Sequence, residues 1–556
     1  MLAAFAACAA LCAFSASGED SQVLAEWDFS KGVQGWTANA AAPVKQAPDG
    51  IVIETDGRDP QLTSPALDIT PQDGDVIEVR MTASRPGEIQ WFWQYDPSGP
   101  SGGLSQEQSR LAGLEDTRKE QTVAARTFWK TGKHITGLRF DLPEHGPGSY
   151  RIASIRVLRG PAAMPPQWRR EYRLPVAPRR IDVAKETPPA THAVASDYTV
   201  AMWYFAAWEP EYTWDGWRQV AERAPWRIPL LFDSSDKEMN YNGIQFYRAS
   251  NPRIVDWHVH WMREHCVNLM LWDWYPGMHP DGSFNPTFFG NRALEVGFLG
   301  KEQLGGPPVA TNRFADTMPF AVMWTNHKPS HGIGKGLAEY IVDQFFVQPN
   351  YFKIDGKAFL PLWSPADLIS GAGGEAKAKA VLEHLRQYAR SRGIPDVYVV
   401  AVNGAFTREQ MSSLGIDGAM GYNLLLTGGW TTEFRQIGDR VVEDRIEDFR
   451  TQTVRGHEAT WNRMADAFGR DYFLPTCPMQ NWEPTHRPIN YIIRDHSPQE
   501  YERLLASAKA TIEKRGLRKF VSIEAFNEWL EGSYVEPGTQ WGLTYLEAVR
   551  EAFKTN

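Results

Sequence analysis

The chain has 556 residues, of which 42% are apolar and 22% are charged, and its formal net charge is −9. This length is too great for one hydrophobic core and predicts two or three domains of ordinary soluble composition. The acidic balance gives no support for nucleic acid or an anionic membrane surface as a partner. The 22 Trp residues suit a core and also suit sugar binding, because an indole has a flat apolar body and a polar tip.

Residues 1–17 are short, apolar and rich in small side chains. This pattern resembles the apolar region of a secretory signal peptide and is too short for a membrane span. It predicts a secreted or periplasmic protein, and Cys8 or Cys12 leaves a lipoprotein as the alternative. The other cysteines, Cys266 and Cys477, are far apart and lie in no CxxC motif. They predict two buried thiols rather than a disulfide framework.

Residues 23–160 predict an antiparallel β-sandwich. Short alternating apolar runs, separated by turn residues, lie at 23–29, 50–55, 76–81, 89–95, 135–142 and 150–158. The opening AEWDFSKGVQGW and the closing SYRIASIRVLRG resemble the first and last strands of jelly-roll domains related to carbohydrate-binding modules. The resemblance implies an accessory domain that either binds glycan or only packs against an enzyme. Residues 161–196 are rich in Pro and Arg and predict an extended linker.

From residue 197 to residue 556 the pattern changes to short apolar runs that alternate with helical stripes. The runs lie at 200–205, 269–274, 319–324, 359–364, 397–402, 418–423, 472–477 and 521–526, and helical stripes at 374–392, 441–468 and 498–514. Eight strands over this length predict a (β/α)8 TIM barrel. An open doubly wound sheet is the alternative. It would normally place a Gly-rich turn where this chain has Tyr204, Phe205 and two alanines.

In a TIM barrel the site forms at the carboxyl ends of the strands. These ends carry aromatic, amide and acidic side chains, the mixture that holds a hydroxyl-rich ligand by stacking and hydrogen bonds. The predicted substrate-binding residues are Tyr204, Trp272, Asp273, Trp324, Asn326, His327, Asn403, Tyr422, Trp482, Glu483 and Asn527. The same ends also carry Trp203, Trp274, Tyr275, Trp363, Asn423, Gln480 and Asn481.

The last strand ends in EAFNEWLEGSYVEP, at residues 524–537. Its Glu528 and Glu531 are three positions apart, so one turn brings both side chains to the same side. Two neighbouring carboxyl groups interact, and one readily keeps its proton while the other is ionised. Glycosidic cleavage uses such a pair. Glu528 and Glu531 are therefore the predicted catalytic residues, whereas Glu524, inside the strand, is predicted to be a buried structural acid.

The segment FNEWLEG, at residues 526–532, resembles the FNEWHEG segment of glycoside hydrolase family 99, the endo-acting α-mannosidases and α-mannanases. Its continuation to residue 549 is similar to family-99-like proteins that carry putative glycosyltransferase names in polysaccharide gene clusters. YFKIDGKAFLP at 351–361, FAVMWTNH at 320–327 and NWEPTHR at 481–487 support the resemblance. The likeness spans nearly all of 197–556 and implies a retaining glycoside hydrolase of α-linked glycans.

The resemblance also implies roles for the pair. Glu528 would be the base on the substrate 2-hydroxyl and Glu531 the general acid/base at the glycosidic oxygen, with a 1,2-anhydro sugar between the two steps. Leu530 stands where family 99 has His, which puts α-mannoside specificity in question. Double displacement through a glutamate nucleophile is the alternative mechanism. A glycosyltransferase and a non-catalytic polysaccharide-binding protein are the alternative functions, and the export signal argues against a nucleotide-sugar donor.

No metal or other cofactor is expected. His258, His260 and His265 share one predicted helix, at residues 253–265, but residues two apart on a helix point to different faces. The GIGKG segment at 332–336 has neither Walker spacing nor GxGxxG.

Overall fold

The computed structural model describes residues 21–160, apart from 73–74, 86, 99, 105–107, 115–118, 128, 130–132 and 144–145, and residues 178–555, apart from 211–215, 280, 286–290, 306–312, 327–332, 405–406, 438–439 and 486. The chain divides into two compact units, Met1–Glu171 and Tyr172–Asn556. The predicted export signal at 1–17 and residues 161–177 of the predicted linker lie outside the described residues.

The first unit contains two antiparallel sheets, and this β-sandwich confirms the predicted fold class. One sheet has the order Val44–Ala47, Gly50–Thr55, Gly148–Arg159, Val76–Ala83 and Gln121–Arg126, with Gln22–Asp28 also paired to Gly148–Arg159. The other has the order Thr37–Ala38, Gln61–Thr63, Gly137–Asp141, Gly87–Gln94 and Ser109–Leu114. Inward residues of both sheets form one core, in which the Trp91 and Phe140 rings stack at 4.1 Å.

The second unit is built on a closed barrel of eight parallel strands, as predicted. In chain order the strands are Thr199–Tyr204, Leu269–Trp274, Phe320–Trp324, Lys357–Leu362, Val397–Ala401, Gly418–Met420, Tyr472–Thr476 and Phe520–Ile523. Neighbours in the barrel are neighbours in sequence, the first strand pairs with the eighth, and Trp324 opposite Leu362 closes the ring. Each strand is an apolar run because a barrel strand is buried on both faces.

Helices surround the barrel. The α-helices are Gly216–Arg223, Pro252–Glu264, Leu337–Ile341, Pro365–Ala372, Glu375–Ser391, Arg408–Leu414, Val454–Phe468, Pro498–Arg515 and Thr544–Phe553. Pro at the first turn and a side-chain cap from the residue before it start Pro252–Glu264, Pro365–Ala372 and Pro498–Arg515. Within the described ranges, no helix combines the length and the apolar composition that a membrane crossing requires.

One predicted helix is wrong in its first part. The stretch 441–468 was expected to be helical throughout, but Arg440–Asp448 is a strand and only Val454–Phe468 is an α-helix. The strand pairs with Thr431–Ile437 on one side and with Ile489–Arg494 on the other. Alternate residues Val442, Asp444 and Ile446 are buried, which is the period of a strand and not of a helix. We call these three strands the lateral sheet.

Residues 178–196 lie along the barrel unit. Ile181–Asp182 pairs with Leu231–Phe232, and the Thr191 hydroxyl lies 3.0 Å from Nδ1 of His260. The Val194 amide donates to the Arg263 carbonyl at 2.9 Å.

Candidate active site

The predicted pair lies on a tight hairpin directly after the eighth barrel strand. Asn527–Glu528 pairs with Ser533–Tyr534, and residues 529–532 form the loop between them. Gly532 in this loop has a φ of 68°, and a Cβ there would lie 2.2 Å from Nη1 of Arg227. The loop therefore requires glycine at this position, and its geometry holds Glu531 at the hairpin turn.

Buried hydrogen bonds anchor both ends of the hairpin. The Asn527 side chain accepts from the Phe205 amide at 2.8 Å and donates to the Phe205 carbonyl at 3.0 Å. Nη2 of Arg227 donates to the carbonyls of Leu530 and Asn481 at 3.1 and 3.0 Å. The hairpin is thus bound to the end of the first barrel strand and to the loop after the seventh. Such anchoring fixes the positions of the two carboxyl groups.

A second buried network supports the hairpin from behind. Glu536 accepts from the Trp529 indole at 2.7 Å and from the Tyr247 hydroxyl at 2.8 Å. His258 lies between Glu536, 3.0 Å from Nε2, and the Tyr204 hydroxyl, 2.9 Å from Nδ1. All five side chains are buried. Their polar atoms satisfy one another, so this network is structural support for the loop that carries Glu531.

Both carboxyl groups of the pair have raised pKa values. Burial is the main cause of the rise at Glu528, and the charges of Glu531, Asp273 and Glu524 add to it, so its pKa lies well above the usual range. Burial also raises the pKa of Glu531, but Arg487 opposes this rise. Oε2 of Glu528 has no hydrogen-bond partner among the described residues. Burial and the neighbouring acids therefore favour the protonated form of Glu528, and Arg487 favours the ionised form of Glu531.

Asp273 and Tyr422 lie beside Glu528. The Tyr422 hydroxyl donates to Asp273 at 2.8 Å and lies 3.5 Å from Oε1 of Glu528. Burial raises the pKa of Asp273 to about 8, against the lowering effect of the Tyr422 hydrogen bond. The Trp203 ring lies 5.2 Å from the Tyr422 ring. These residues come from the first, second and sixth strands, so the structure brings them together at the end of the barrel.

Glu524 is buried and hydrogen-bonded, as the sequence predicts. It is fully buried and accepts hydrogen bonds from Gln480 at 2.9 Å and from the Ser533 hydroxyl at 3.0 Å. Burial raises its pKa to about 8, the charge of Glu531 adds to this rise, and the hydrogen bonds from Cys477, Ser533 and Gln480 oppose it.

The loop after the seventh strand covers the hairpin turn and brings in a residue that the sequence did not identify. Nη1 of Arg487 lies 3.2 Å from Oε1 of Glu531, and its guanidinium lies 4.4 Å from the centre of the Trp482 ring. The Trp482 indole donates to Gln480 at 2.7 Å. In the sequence Arg487 stands out only as part of the NWEPTHR segment. Its proximity to Glu531 depends on a loop path that spacing does not reveal.

Three predicted binding residues belong to the layer between the barrel and its helices. Tyr204 contacts His258, and Trp272 packs on Tyr204 and on Phe298. Trp324 lines a cavity of about 620 Å³ beside the helices Leu337–Ile341 and Glu375–Ser391. The structure therefore does not bring Trp272 and Trp324 into one cleft with Trp482. Side chains alternate along a strand, so the neighbours Trp203 and Asp273 face inward where these three face outward.

The remaining predicted residues are more dispersed. The Asn326 amide is bound to the Ser364 backbone, with distances of 2.8 and 2.9 Å, and Asn527 is similarly bound to Phe205. Asn403 is exposed after the fifth strand. Glu483 is half-buried and accepts from Asn481 at 3.1 Å. His327 lies outside the described residues.

The three histidines of the helix Pro252–Glu264 and its cap have separate partners. His258 contacts Glu536, His260 contacts Thr191, and His265 lies 2.6 Å from the Trp261 carbonyl. Across the part of the chain that the structure describes, no group of three or more His, Cys, Asp or Glu side chains is arranged to hold a metal ion. Cys266 and Cys477 are free and buried.

Comparison with known proteins gives a partial family match. Residues 335–549 match the family described as "Glycosyltransferase WbsX". Two proteins named "Uncharacterized protein WxcX", from two strains of Xanthomonas campestris pv. campestris, are 26% identical over 285 residues. The match covers 46% of this chain and 38% of those relatives. The family match confirms the predicted resemblance to proteins that carry glycosyltransferase names.

Solved structures are also similar to this chain. The GH99 endo-alpha-mannosidase from Bacteroides thetaiotaomicron is 13% identical with a TM-score of 0.37, and the likeness covers 64% of this chain and 97% of that chain. A structure titled "Glycoside hydrolase-like protein" is 14% identical with a TM-score of 0.39, over 66% of this chain and 98% of that one.

Proposed function

We propose that this protein is a glycoside hydrolase that cleaves an α-linked glycan or polysaccharide, with Glu528 and Glu531 as the catalytic pair. One observation carries the proposal: the carboxyl groups of Glu528, which is buried, and of Glu531, which is partly buried, interact electrostatically on one anchored hairpin at the carboxyl end of the last barrel strand. Active sites of TIM barrels form at that end, and glycosidic cleavage uses two such groups. The α linkage rests on the FNEWLEG resemblance.

In the proposed reaction Glu531 protonates the glycosidic oxygen while Glu528 removes the proton of the 2-hydroxyl. The 2-oxygen attacks the anomeric carbon, the glycosidic bond breaks, and a 1,2-anhydro sugar forms. Water then opens this ring, with Glu531 accepting its proton and Glu528 returning a proton to the 2-oxygen. The two inversions retain the anomeric configuration. Glu528 as a nucleophile in a double displacement is the alternative route.

The electrostatics of the pair suit this chemistry. A carboxylate with a raised pKa is a stronger base toward a sugar hydroxyl, and a carboxyl group with a raised pKa remains an acid at neutral pH. Arg487 favours the ionised form of Glu531, whereas burial and the neighbouring acids favour the protonated form of Glu528. The proposed reaction requires the opposite arrangement, with the proton on Glu531 and with Glu528 ionised. A 2-hydroxyl bound at Glu528 and a glycosidic oxygen bound at Glu531 favour that arrangement.

Asp273, Tyr422 and Trp203 are the proposed substrate contacts nearest the pair. Oδ1 of Asp273 and Nε1 of Trp203 are buried and have no hydrogen-bond partner among the described residues. Both atoms belong to strand positions that face the barrel interior. A sugar hydroxyl supplies the donor and the acceptor that these two atoms require.

The location and the accessory unit are also part of the proposal. Residues 1–17 support export to the periplasm or the medium, where polysaccharide substrates lie. The β-sandwich is proposed to assist by binding glycan.

Screening α-linked polysaccharides, with analysis of the products, tests the proposal. Hydrolysis with retained anomeric configuration, abolished by Glu528→Gln, is the expected result. Absence of hydrolysis across α-mannan, pullulan and dextran, with the folded protein still retarded in gels that contain one of them, would indicate a non-catalytic binding protein.

The name of the matching family favours a second candidate function, glycosyl transfer from a nucleotide sugar. Incubation with nucleotide sugars and an acceptor polysaccharide tests it. Release of free nucleotide that depends on the acceptor would support transfer and contradict hydrolysis as the main activity.

A further inference from the structure

The lateral sheet is most exposed along its edge strand, Thr431–Ile437. On Arg440–Asp448 the residues Val442, Asp444 and Ile446 are buried, and the alternate positions point to the other side. That other side carries two large exposed aromatic rings: Trp430 is 46% exposed and Phe434 is 69% exposed. An exposed sheet face normally carries polar residues, so exposed rings here need an explanation.

The exposed face forms a continuous row with the candidate active site. Cross-strand register places Thr432 beside Arg445 and Arg445 beside Tyr491. The Trp482 amide donates to the Tyr491 carbonyl at 3.1 Å, and their rings lie 4.7 Å apart. The row therefore runs from Trp482 across three strands to the edge that carries Trp430.

The same row ends at the catalytic pair. Arg487 lies over Trp482 and pairs with Glu531. The row crosses three spacings between neighbouring strands, so it extends about 14 Å beyond Trp482. A single sugar at the pair would leave this surface unused, whereas a chain of sugars would continue across it.

The chemistry of the face fits a hydroxyl-rich ligand better than a protein. Arg445 lies 5.8 Å from the centre of the Trp430 ring and donates to Glu443 at 2.7 Å. Charged groups thus stand between the rings, whereas the centre of a protein interface is depleted of charge. Rings that stack on sugar faces, with Arg, Glu and Thr groups that bind hydroxyls between them, suit a glycan.

We propose that this face, formed by Trp430, Phe434, Arg445 and Tyr491, is an extended glycan-binding surface that holds a polymeric substrate beyond the catalytic pair. The inference rests on the proposed function and deepens it: the substrate is a polysaccharide that extends past the cleavage point. We call this surface the glycan platform.

The test compares the double variant Trp430→Ala/Phe434→Ala with the control Trp226→Ala, which removes an indole that is 53% exposed and lies outside the lateral sheet. Substrates are the polysaccharide found by screening α-mannan, pullulan and dextran, and an activated aryl glycoside of the same sugar. We expect the double variant to raise KM for the polymer by about tenfold, as for the loss of two stacked rings, and to leave turnover of the aryl glycoside unchanged. An unchanged KM for the polymer overturns the platform and leaves the hydrolase proposal standing.

A binding measurement separates the two proposals. Glu528→Gln protein, with and without the double substitution, is run in native gels that contain each of the three polysaccharides. Weaker retardation of the double variant alone supports the platform even where no polysaccharide is hydrolysed. Equal retardation of both proteins overturns it. Sedimentation velocity provides a further criterion, because a wild-type dimer that the double substitution dissociates would make this face a self-association surface and overturn the proposal.

Discussion

The guanidinium of Arg487 lies 3.2 Å from the carboxylate of Glu531. This contact distinguishes the two members of the proposed catalytic pair, since the influence of Arg487 on the pKa of Glu528 is smaller than that of burial and of the three neighbouring acids. The same side chain lies over Trp482 and so links the pair to the glycan platform.

We predict that Arg487→Gln moves the high-pH limb of the activity profile to higher pH. Arg487 favours ionised Glu531 and holds its pKa down, so removing the cation raises that pKa. Activity needs one proton on the pair and is lost as pH rises through the pKa values of the pair, which then lie higher. The measurement is kcat/KM against pH. Arg218→Gln, which removes a surface guanidinium from the helix Gly216–Arg223, should leave the profile in place. A high-pH limb that moves to lower pH in Arg487→Gln would contradict the assignment.

Glu528→Gln and Glu531→Gln should differ in their signatures. Each should lose about 10²-fold or more in turnover of the natural glycan, the usual size of general acid–base effects. Glu531→Gln should retain more activity on an activated aryl glycoside, whose leaving group needs no protonation. Glu528→Gln should be inactive on both substrates, since every leaving group needs the base or nucleophile. Thermal melts verify folding. Near-wild-type turnover of the glycan by either variant would make Asp273 or Glu483 the next candidates.

Tyr422→Phe should lower kcat/KM by up to about tenfold, because a hydrogen bond to a carboxyl group that is largely protonated at neutral pH contributes ~0.5–1.5 kcal/mol. The variant removes the hydroxyl that donates to Asp273 and reaches Glu528. The matched control is Tyr388→Phe, which removes a hydroxyl bound to Asp343 at 2.9 Å on the outer helix Glu375–Ser391. Steady-state kinetics on the same glycan check both. Equal rates for the two variants would remove Tyr422 from the site.

Asn527→Ala should destabilise the barrel unit by ~2–4 kcal/mol, since it leaves a buried donor and a buried acceptor of Phe205 unsatisfied. Activity should fall together with stability, because the hairpin loses its anchor to the first strand. Chemical denaturation measures the change. Asn462→Ala removes a side-chain amide that donates to the Glu458 carbonyl on an exposed helix surface, and it should stay within about 0.5 kcal/mol of the parent.

The sandwich should fold without the barrel, because its two sheets enclose a core of their own. Expression of residues 21–160 alone, followed by circular dichroism and a thermal melt, checks this. A cooperative transition is expected, and a chain that shows no structure under native conditions would contradict it.

The sequence predicts both folds well because the apolar pattern that marks each strand lies within the residues of that strand. All eight predicted apolar runs overlap the observed barrel strands, since a strand buried on both faces cannot be polar. The stretch at 441–448 is not predicted as a strand, although it forms a hairpin with Thr431–Ile437 and also pairs with Ile489–Arg494. Its inward positions Val442, Asp444 and Ile446 include an acid, so the strand period is weak in the sequence.

The site was predicted less completely, for two physical reasons. The position of a residue at a strand end does not determine which way its side chain points, because adjacent residues of a strand point to opposite faces. Asp273 therefore reaches Tyr422, whereas Trp272 packs against Phe298 in the helix layer. The alternation of side chains along the second strand distinguishes these two neighbours, because it places them on opposite faces. Arg487 reaches Glu531 through the path of a loop, and no periodicity encodes such a path.

The hydrogen-bonded contact between Asn527 and Phe205 also links the proposed catalytic site to the order of synthesis. It joins residues 322 positions apart, so the hairpin is held in place only after the first and the last barrel strands have met. A nascent chain that lacks the eighth strand has neither carboxyl group of the pair. A complete chain whose barrel is still open has both groups without their anchor. Appearance of hydrolytic activity during refolding would therefore report the time at which the ring closes, later than any probe of secondary structure.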